Sequence, residues 1–356
     1  MAGFMIRQLW FAMKHFTPPV LYSKLGNEVD MPSVTVCIPA RNEMHALAEC
    51  LEHVVASDYD KLEIIVLDDV SGDDTSALIK SFAHEGVRFV QGKSLPQGWL
   101  GKNHALQGLL NEASGSYVLF VDVDTRLTPN AVSNMVRYAI SQRAAMVSVL
   151  PRREDSWRSS VIFSPLRYLW EILFHRPVSP ATASSAWLIK RDILLSRFNG
   201  FEDLKMAIQP ETKLSSSLSV TNEYRFLIGT ANFGVSYEKK WRSQLITSTR
   251  LLFPLLASQV AVCILAMLDL VILLIPALVL VSAFFIPIEF VHVLGALIAL
   301  LYALMYGWYT SRVWNKGATI GAILWPLLII QEIILIFASA FQYKRRTVKW
   351  KGRKVL

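Results

Sequence analysis

The stretch Tyr117-Val-Leu-Phe-Val-Asp-Val-Asp-Thr125 decides the fold, because five consecutive apolar residues end in two carboxylates two positions apart. A short apolar run rich in β-branched and aromatic residues reads as a strand buried on both faces. Working outward, Val34-Thr-Val-Cys-Ile38 leads into Pro39-Ala-Arg-Asn-Glu43, Leu62–Leu67 into Asp68-Asp-Val-Ser-Gly-Asp-Asp-Thr75, and Val87–Val90 forms a further strand. Helical stretches over 46–55, 75–82 and 103–111 separate them. Strands alternating with helices predict an α/β domain around a parallel sheet with right-handed crossovers. Ligands of such sheets sit at the carboxyl ends of the strands, where this sequence places its polar residues. No GxGxxG or P-loop follows any strand, which argues against dinucleotide-binding dehydrogenases and P-loop NTPases.

Three groups carry the chemistry. Asp122 and Asp124 offer hard oxygen ligands to one Mg²⁺ or Mn²⁺, an ion that keeps phosphate and water in its remaining positions; taken alone, such a pair is more often a solvated turn. Asp68 and Asp69 can accept hydrogen bonds from a nucleobase or a ribose, while Asp73 or Asp74 caps the following helix. In Leu95-Pro-Gln-Gly-Trp-Leu-Gly-Lys-Asn-His-Ala105, two glycines permit a tight turn and Lys102 enters a helix. A lysine at a helix start opposes the macrodipole, so the position points to an external anion. His104 reads as structural.

The C-terminal third has a different solvent. Residues 251–288 contain one charge (Asp269), 290–310 none, and 318–340 only Glu332, against 18% charged residues in the 356-residue chain. A bilayer core about 30 Å thick needs roughly 20 apolar residues per helix. Net charge is +8, but seven Lys/Arg lie in 341–356 and the rest of the chain sums to +1. A basic cluster after an apolar helix is a cytoplasmic topology signal rather than a nucleic-acid footprint, so no nucleic-acid partner is expected. Three unpatterned cysteines fit a reducing compartment without a disulfide framework. The expected organisation is an N-terminal interfacial segment (1–31), an α/β domain (32–239), an interfacial helix with about four transmembrane helices (240–343), and a basic cytoplasmic tail (344–356). The fourth pass requires residues 251–288 to turn at Asp269. The localisation expected is the cytoplasmic (inner) membrane, multi-pass, with the α/β domain and the tail on the cytoplasmic side.

Taken together, Pro39–Glu43, Leu67–Thr75, Gly98-Trp-Leu-Gly-Lys102 and Phe120-Val-Asp-Val-Asp-Thr125 resemble the family-2 glycosyltransferases with their Rossmann-like GT-A nucleotide-sugar-binding fold. The apolar C-terminus and Trp350-Lys-Gly-Arg353 resemble the membrane-bound branch that includes hopanoid-associated and carotenoid glucosyltransferases. The resemblance implies that Pro39, Ala40, Arg41, Glu43 and Asp69 hold the nucleobase and ribose. It implies that Lys102 contacts the nucleotide or its phosphates, that Asp122 touches ribose and metal, and that Asp124 binds the metal. It further implies an inverting, metal-dependent transfer from a nucleotide sugar, a UDP-sugar in the family's common case, to the hydroxyl of a lipid acceptor. The family's general base is the Asp of a Glu-Asp pair. Counting from the turn Asn199-Gly200-Phe201 reaches Pro210-Glu211-Thr212-Lys213-Leu214, so Glu211 stands where that Asp belongs and Pro210 replaces the Glu. Glutamate keeps the base chemistry, with a reference pKa of about 4.3 against 3.9, but its extra methylene shifts the oxygen by about 1 Å. Asp203 is a rival base that misses the spacing. The processive Gln-x-x-Arg-Trp motif is absent. Two alternatives stay open: transfer to a polyprenyl phosphate, which needs no strong base, and a nucleotide-binding membrane pseudoenzyme.

Overall fold

The computed structural model describes residues 2–17, 30–154, 166–238, 240–314, 322–351 and 353–354. Residues 18–29 of the expected N-terminal segment, and residues 318–321 at the start of the last apolar stretch, lie outside the described residues. The chain divides into two compact units, one of Ala12–Arg152 and Phe174–Glu238, the other of Met1–Phe11, Arg153–Leu173 and Lys239–Leu356. The span 32–239 is therefore interrupted, since residues 153–173 belong to the second unit.

In the first unit, β1 (Val34–Ala40), β2 (Leu62–Asp68), β3 (Val87–Gln91) and β4 (Tyr117–Val121) form the parallel part of a seven-stranded sheet, laid out β3-β2-β1-β4. They are joined by the helices Met44–Val55, Thr75–Ser81 and Gly101–Glu112. Each forms within two residues of its sequence reading. The expectation of a parallel sheet ends at β4. After the short strand β5 (Thr125–Leu127) and β6 (Met146–Leu150), with a two-residue β7 (Arg152–Arg153), comes β8 (Ala186–Lys190). It pairs antiparallel with both β4 and β6, and β9 (Tyr224–Ile228) lies parallel to β6 at the sheet edge. The reversal seats Trp187 opposite Phe120, their rings stacked at 4.4 Å between centroids, with Phe201 edge-on to Phe120 at 5.6 Å. Stacked and edge-on aromatic pairs add to the apolar area they bury. This cluster supports the strand that ends in Asp122. The strand β10 (Val235–Tyr237) pairs antiparallel with β5, holding the chain immediately after Asp124.

The second unit is helical. Val260–Ser282, Phe290–Val313 and Trp325–Lys344 are each long and apolar enough to cross a membrane. Asp269 lies inside the first of these helices rather than at a turn. The four passes expected from the sequence thus reduce to three such helices among the described residues. One carboxylate does not break a helix whose backbone groups are all paired internally. Trp241–Leu255 forms where an interfacial helix was expected and packs on Trp325–Lys344. An apolar cavity of about 50 Å³ in this unit is lined by residues that include Trp170, Tyr302, Tyr306 and Trp325. Within the unit, buried Glu332 accepts a hydrogen bond from the Leu166 backbone (3.3 Å), and buried Arg153 donates to Gln244 (2.8 Å).

Candidate active site

The site is built where β1, β2 and β4 end. Beyond β1, Asn42 adopts a left-handed conformation (φ 52°), and beyond β2 so does Val70 (φ 54°). A β-branched residue there is strained, and such strain persists only when its surroundings hold it. Here the Arg41 guanidinium donates to the carbonyls of Asp69 and Val70 (2.7 Å to the latter), Asp69 N donates to Ala40 O (2.8 Å), and Gly72 N donates to the Asn42 side chain (2.8 Å). The Arg41–Glu43 loop is thus the clamp of the Asp69 turn. Ala40 is buried and contributes its carbonyl, Pro39 is a paired β1 residue, and Glu43 starts a helix with its N–H donated to Thr75 Oγ1 (3.0 Å).

The two adjacent aspartates separate. Asp68, fully buried, accepts from the Ser71 and Ser76 hydroxyls and from the Ser71 backbone, which makes it a brace for the turn. Asp69, also buried, is held on its backbone by Ala40 and Arg41. Asp73, one residue before the N-cap Asp74, accepts from Thr75 N (3.1 Å), while Asp74 makes no side-chain cap bond. Gly92, which the sequence reading passed over, donates its N–H to Asp68 O at 2.9 Å. A Cβ at this position would stand 2.5 Å from Asp68 O and 3.0 Å from Asp69 Cα, so only glycine permits the approach.

Lys102 and Asp122 meet, with Nζ 2.8 Å from Oδ1 and both side chains about a quarter exposed (21% and 25%). The helix that carries Lys102 is fixed to the loop before Glu211. Leu100 N donates to Lys205 O (2.9 Å), and the buried Asn103 amide donates to Leu204 O and Ala207 O (2.7 Å each) and lies 3.2 Å from Lys205 O. Gln107 Oε1 accepts from Phe201 N at 2.7 Å. Neither Asn103 nor Gln107 was singled out from the sequence; their helical spacing of four residues after the Gly-Lys step was the available signal. His104 packs edge-on against Trp99.

The turn Asp122–Thr125 is braced from three sides. Asp122 N donates to Ser185 O (2.9 Å), Thr125 N donates to Asp122 O (2.9 Å), and the Arg126 guanidinium donates to the Val123 and Thr125 carbonyls (3.2 and 3.3 Å). Arg126 also pairs with Glu49 and holds that carboxyl below its ordinary value. Burial pushes the nearby Cys50 thiol up to about 12, so it stays a neutral packing residue. Glu211 is buried in the first turn of the helix Pro210–Val220, where Pro210 supplies the fixed φ of a helix start and the macrodipole favours a carboxylate. The next residue, Thr212, meets Thr182 hydroxyl to hydroxyl at 3.0 Å. The segment Pro180–Ala186 therefore reaches both the Asp122 turn, through Ser185, and the Glu211 helix, through Thr182. Asp203, the rival base, lies in the short 3₁₀ turn Glu202–Leu204.

Among the described residues no three His, Cys, Asp or Glu side chains cluster tightly enough to hold an ion alone. Asp122 and Asp124 nevertheless fit a hard divalent ion that brings its own ligands. They are two carboxylates on one braced, partly open turn, and one of them already carries a cationic partner.

Residues 35–195 match the family described as Glycosyl transferase family 2. The chain is 31% identical over 112 residues to the GalNAc(5)-diNAcBac-PP-undecaprenol beta-1,3-glucosyltransferase of Campylobacter jejuni, covering 31% of this chain and 35% of that protein. It is 32% identical over 121 residues to the 4,4'-diaponeurosporenoate glycosyltransferase of Staphylococcus aureus, covering 33% and 32%. It thus spans about a third of the length of either relative. A mannosyltransferase from Pyrobaculum calidifontis, solved with GDP-Man and Mn²⁺, shares the fold with a TM-score of 0.57 at 19% identity, over 96% of this chain and 94% of that one.

Proposed function

We propose, from the match of residues 35–195 to Glycosyl transferase family 2, that the chain moves a sugar from a nucleotide sugar to the hydroxyl of a lipid at the membrane, with inversion. The observation that carries this reading is the Lys102–Asp122 pair, seated beside Asp124 where the strand ends converge. The Asp69 turn, clamped by Arg41, receives the base and ribose of the donor, with a UDP-sugar as the donor proposed. Lys102 offsets the charge that gathers on the diphosphate as the glycosidic bond to phosphate breaks. Asp122 and Asp124 would hold a Mn²⁺ or Mg²⁺ ion, which supplies Lewis-acid stabilisation of the same leaving group. Glu211 takes the acceptor hydroxyl's proton as the new bond forms on the opposite face of the sugar. General-base assistance of this kind contributes about 10²–10⁴-fold. The three apolar helices supply a physical reason for a lipid acceptor, since they give the chain a place in the phase where such an acceptor dissolves.

The test is nucleoside diphosphate release by the full chain in lipid, with total lipid extract as acceptor and with or without Mn²⁺. Release is expected to depend on metal and extract, to vanish in Asp124→Ala, and to fall at least about 100-fold in Glu211→Gln. Undiminished release in both variants overturns the proposal. A polyprenyl phosphate acceptor is the second reading, while the glutamate standing where the family's aspartate is expected bears on a third, a nucleotide-binding pseudoenzyme. That acceptor is already anionic, so release would survive Glu211→Gln and still be lost in Asp124→Ala. Donor binding with no release by the unsubstituted chain would mark a pseudoenzyme.

A further inference from the structure

In this structure the Lys102 ammonium donates to Asp122 Oδ1 at 2.8 Å, the carboxylate proposed above as a metal ligand. Asp124, the other carboxylate, sits in the field of the Arg126 guanidinium. Arg126 is committed to Glu49 and to two backbone carbonyls, so it cannot leave. Lys102 differs. Its backbone is pinned on both sides, through Leu100 N on Lys205 O and through the Asn103 amide, yet its side chain is partly exposed on a flexible four-carbon stem. Only the ammonium is free to change partners.

We infer that Lys102 is an internal placeholder cation that keeps divalent metal off Asp122 until a diphosphate arrives, so that metal and donor enter together. This rests on the glycosyl-transfer reading. An ion arriving alone must compete with the ammonium for the same carboxylate oxygen, and once bound it faces that like charge at close range. A nucleotide diphosphate removes both obstacles. Its oxygens accept the ammonium from Asp122 and supply the ion with ligands that two carboxylates do not provide. No bond is made or broken in this exchange; one cation passes from carboxylate to phosphate and another replaces it. The arrangement gives the resting site little affinity for free metal, and it makes metal and nucleotide binding mutually reinforcing, as linkage requires.

The experiment is Mn²⁺ binding to the full chain in lipid without nucleotide, read from the loss of the free-ion electron paramagnetic resonance signal. Lys102→Met keeps the length and removes the charge, and is expected to bind Mn²⁺ alone about fivefold tighter than the unsubstituted chain, the scale of a partly exposed ion pair. Lys102→Arg retains a cation and is expected to remain as weak as the unsubstituted chain. Adding Asp124→Asn to Lys102→Met is expected to abolish the gain. Equal affinity in Lys102→Met and the unsubstituted chain overturns the placeholder while leaving the glycosyl-transfer reading standing. A gain that survives Asp124→Asn places the ion elsewhere and overturns both the placeholder and the metal assignment. Thermal melts of each variant establish that the comparison is between folded proteins.

Discussion

At the scale of single residues, the site depends on side chains doing different work at adjacent positions. Asp68 and Asp69 are chemically identical neighbours, yet one is consumed by the Ser71 and Ser76 hydroxyls and the other is held at the turn by Arg41 and Ala40. Gly92 makes that turn possible. Gly92→Ala is expected to destabilise the chain by about 1–3 kcal/mol, the range for forcing an added methyl into a filled space. It is also expected to weaken nucleotide binding, because the displaced atoms are Asp68 O and Asp69 Cα; thermal melts and calorimetric titration with UDP check the two halves. The acidic strand ends and Lys102 were legible in the sequence, since a buried apolar run that stops at a charge leaves few alternatives. The division of labour between Asp68 and Asp69 was not, because it is decided by hydroxyls three and eight positions away. Nor was the use of Arg41 as a clamp, which follows from the strained Val70 and not from any local pattern.

At the scale of elements, the Asp122–Asp124 turn is a short connection held by its neighbours. The β5–β10 pairing fixes one end, Ser185 the other, and Arg126 spans the middle. Glu49 neutralises that arginine from the helix Met44–Val55, and the hydrogen bond from Arg126 sets the carboxyl below its usual value. A carboxyl with a lowered folded-state pKa adds stability above its unfolded value, and the contribution is lost as pH falls through the folded one. Glu49→Gln is therefore expected to melt below the unsubstituted chain at pH 7, with the difference shrinking below about pH 4.3; a gap that persists at low pH contradicts the pairing. The first four strands and their helices were legible from period and length. The antiparallel β8 was not, because Ala186–Lys190 is as apolar as its parallel neighbours and direction leaves no mark on composition. The continuous helix through Asp269 was missed for a related reason. A charge in an apolar run resembles a turn until the backbone pairing is known.

At the scale of the molecule, the chain divides into an α/β unit with a polar rim at its strand ends and a helical unit whose three longest helices suit a hydrocarbon solvent, the two interleaved along the sequence. The return of residues 153–173 to the helical unit could not be read from the chain, since apolar Leu166, Leu169 and Leu173 serve a soluble core as well as a helical one. The central claim is that these parts serve one reaction, sugar transfer from a water-soluble donor to a lipid. The most direct measurement follows a labelled nucleotide sugar, incubated with the full chain and total lipid extract in the presence of Mn²⁺, into the organic phase. The account predicts label in that phase only with metal and extract present, and loss of at least about 100-fold in Glu211→Gln. Label that remains in the aqueous phase, while the folded chain binds the donor, would contradict it.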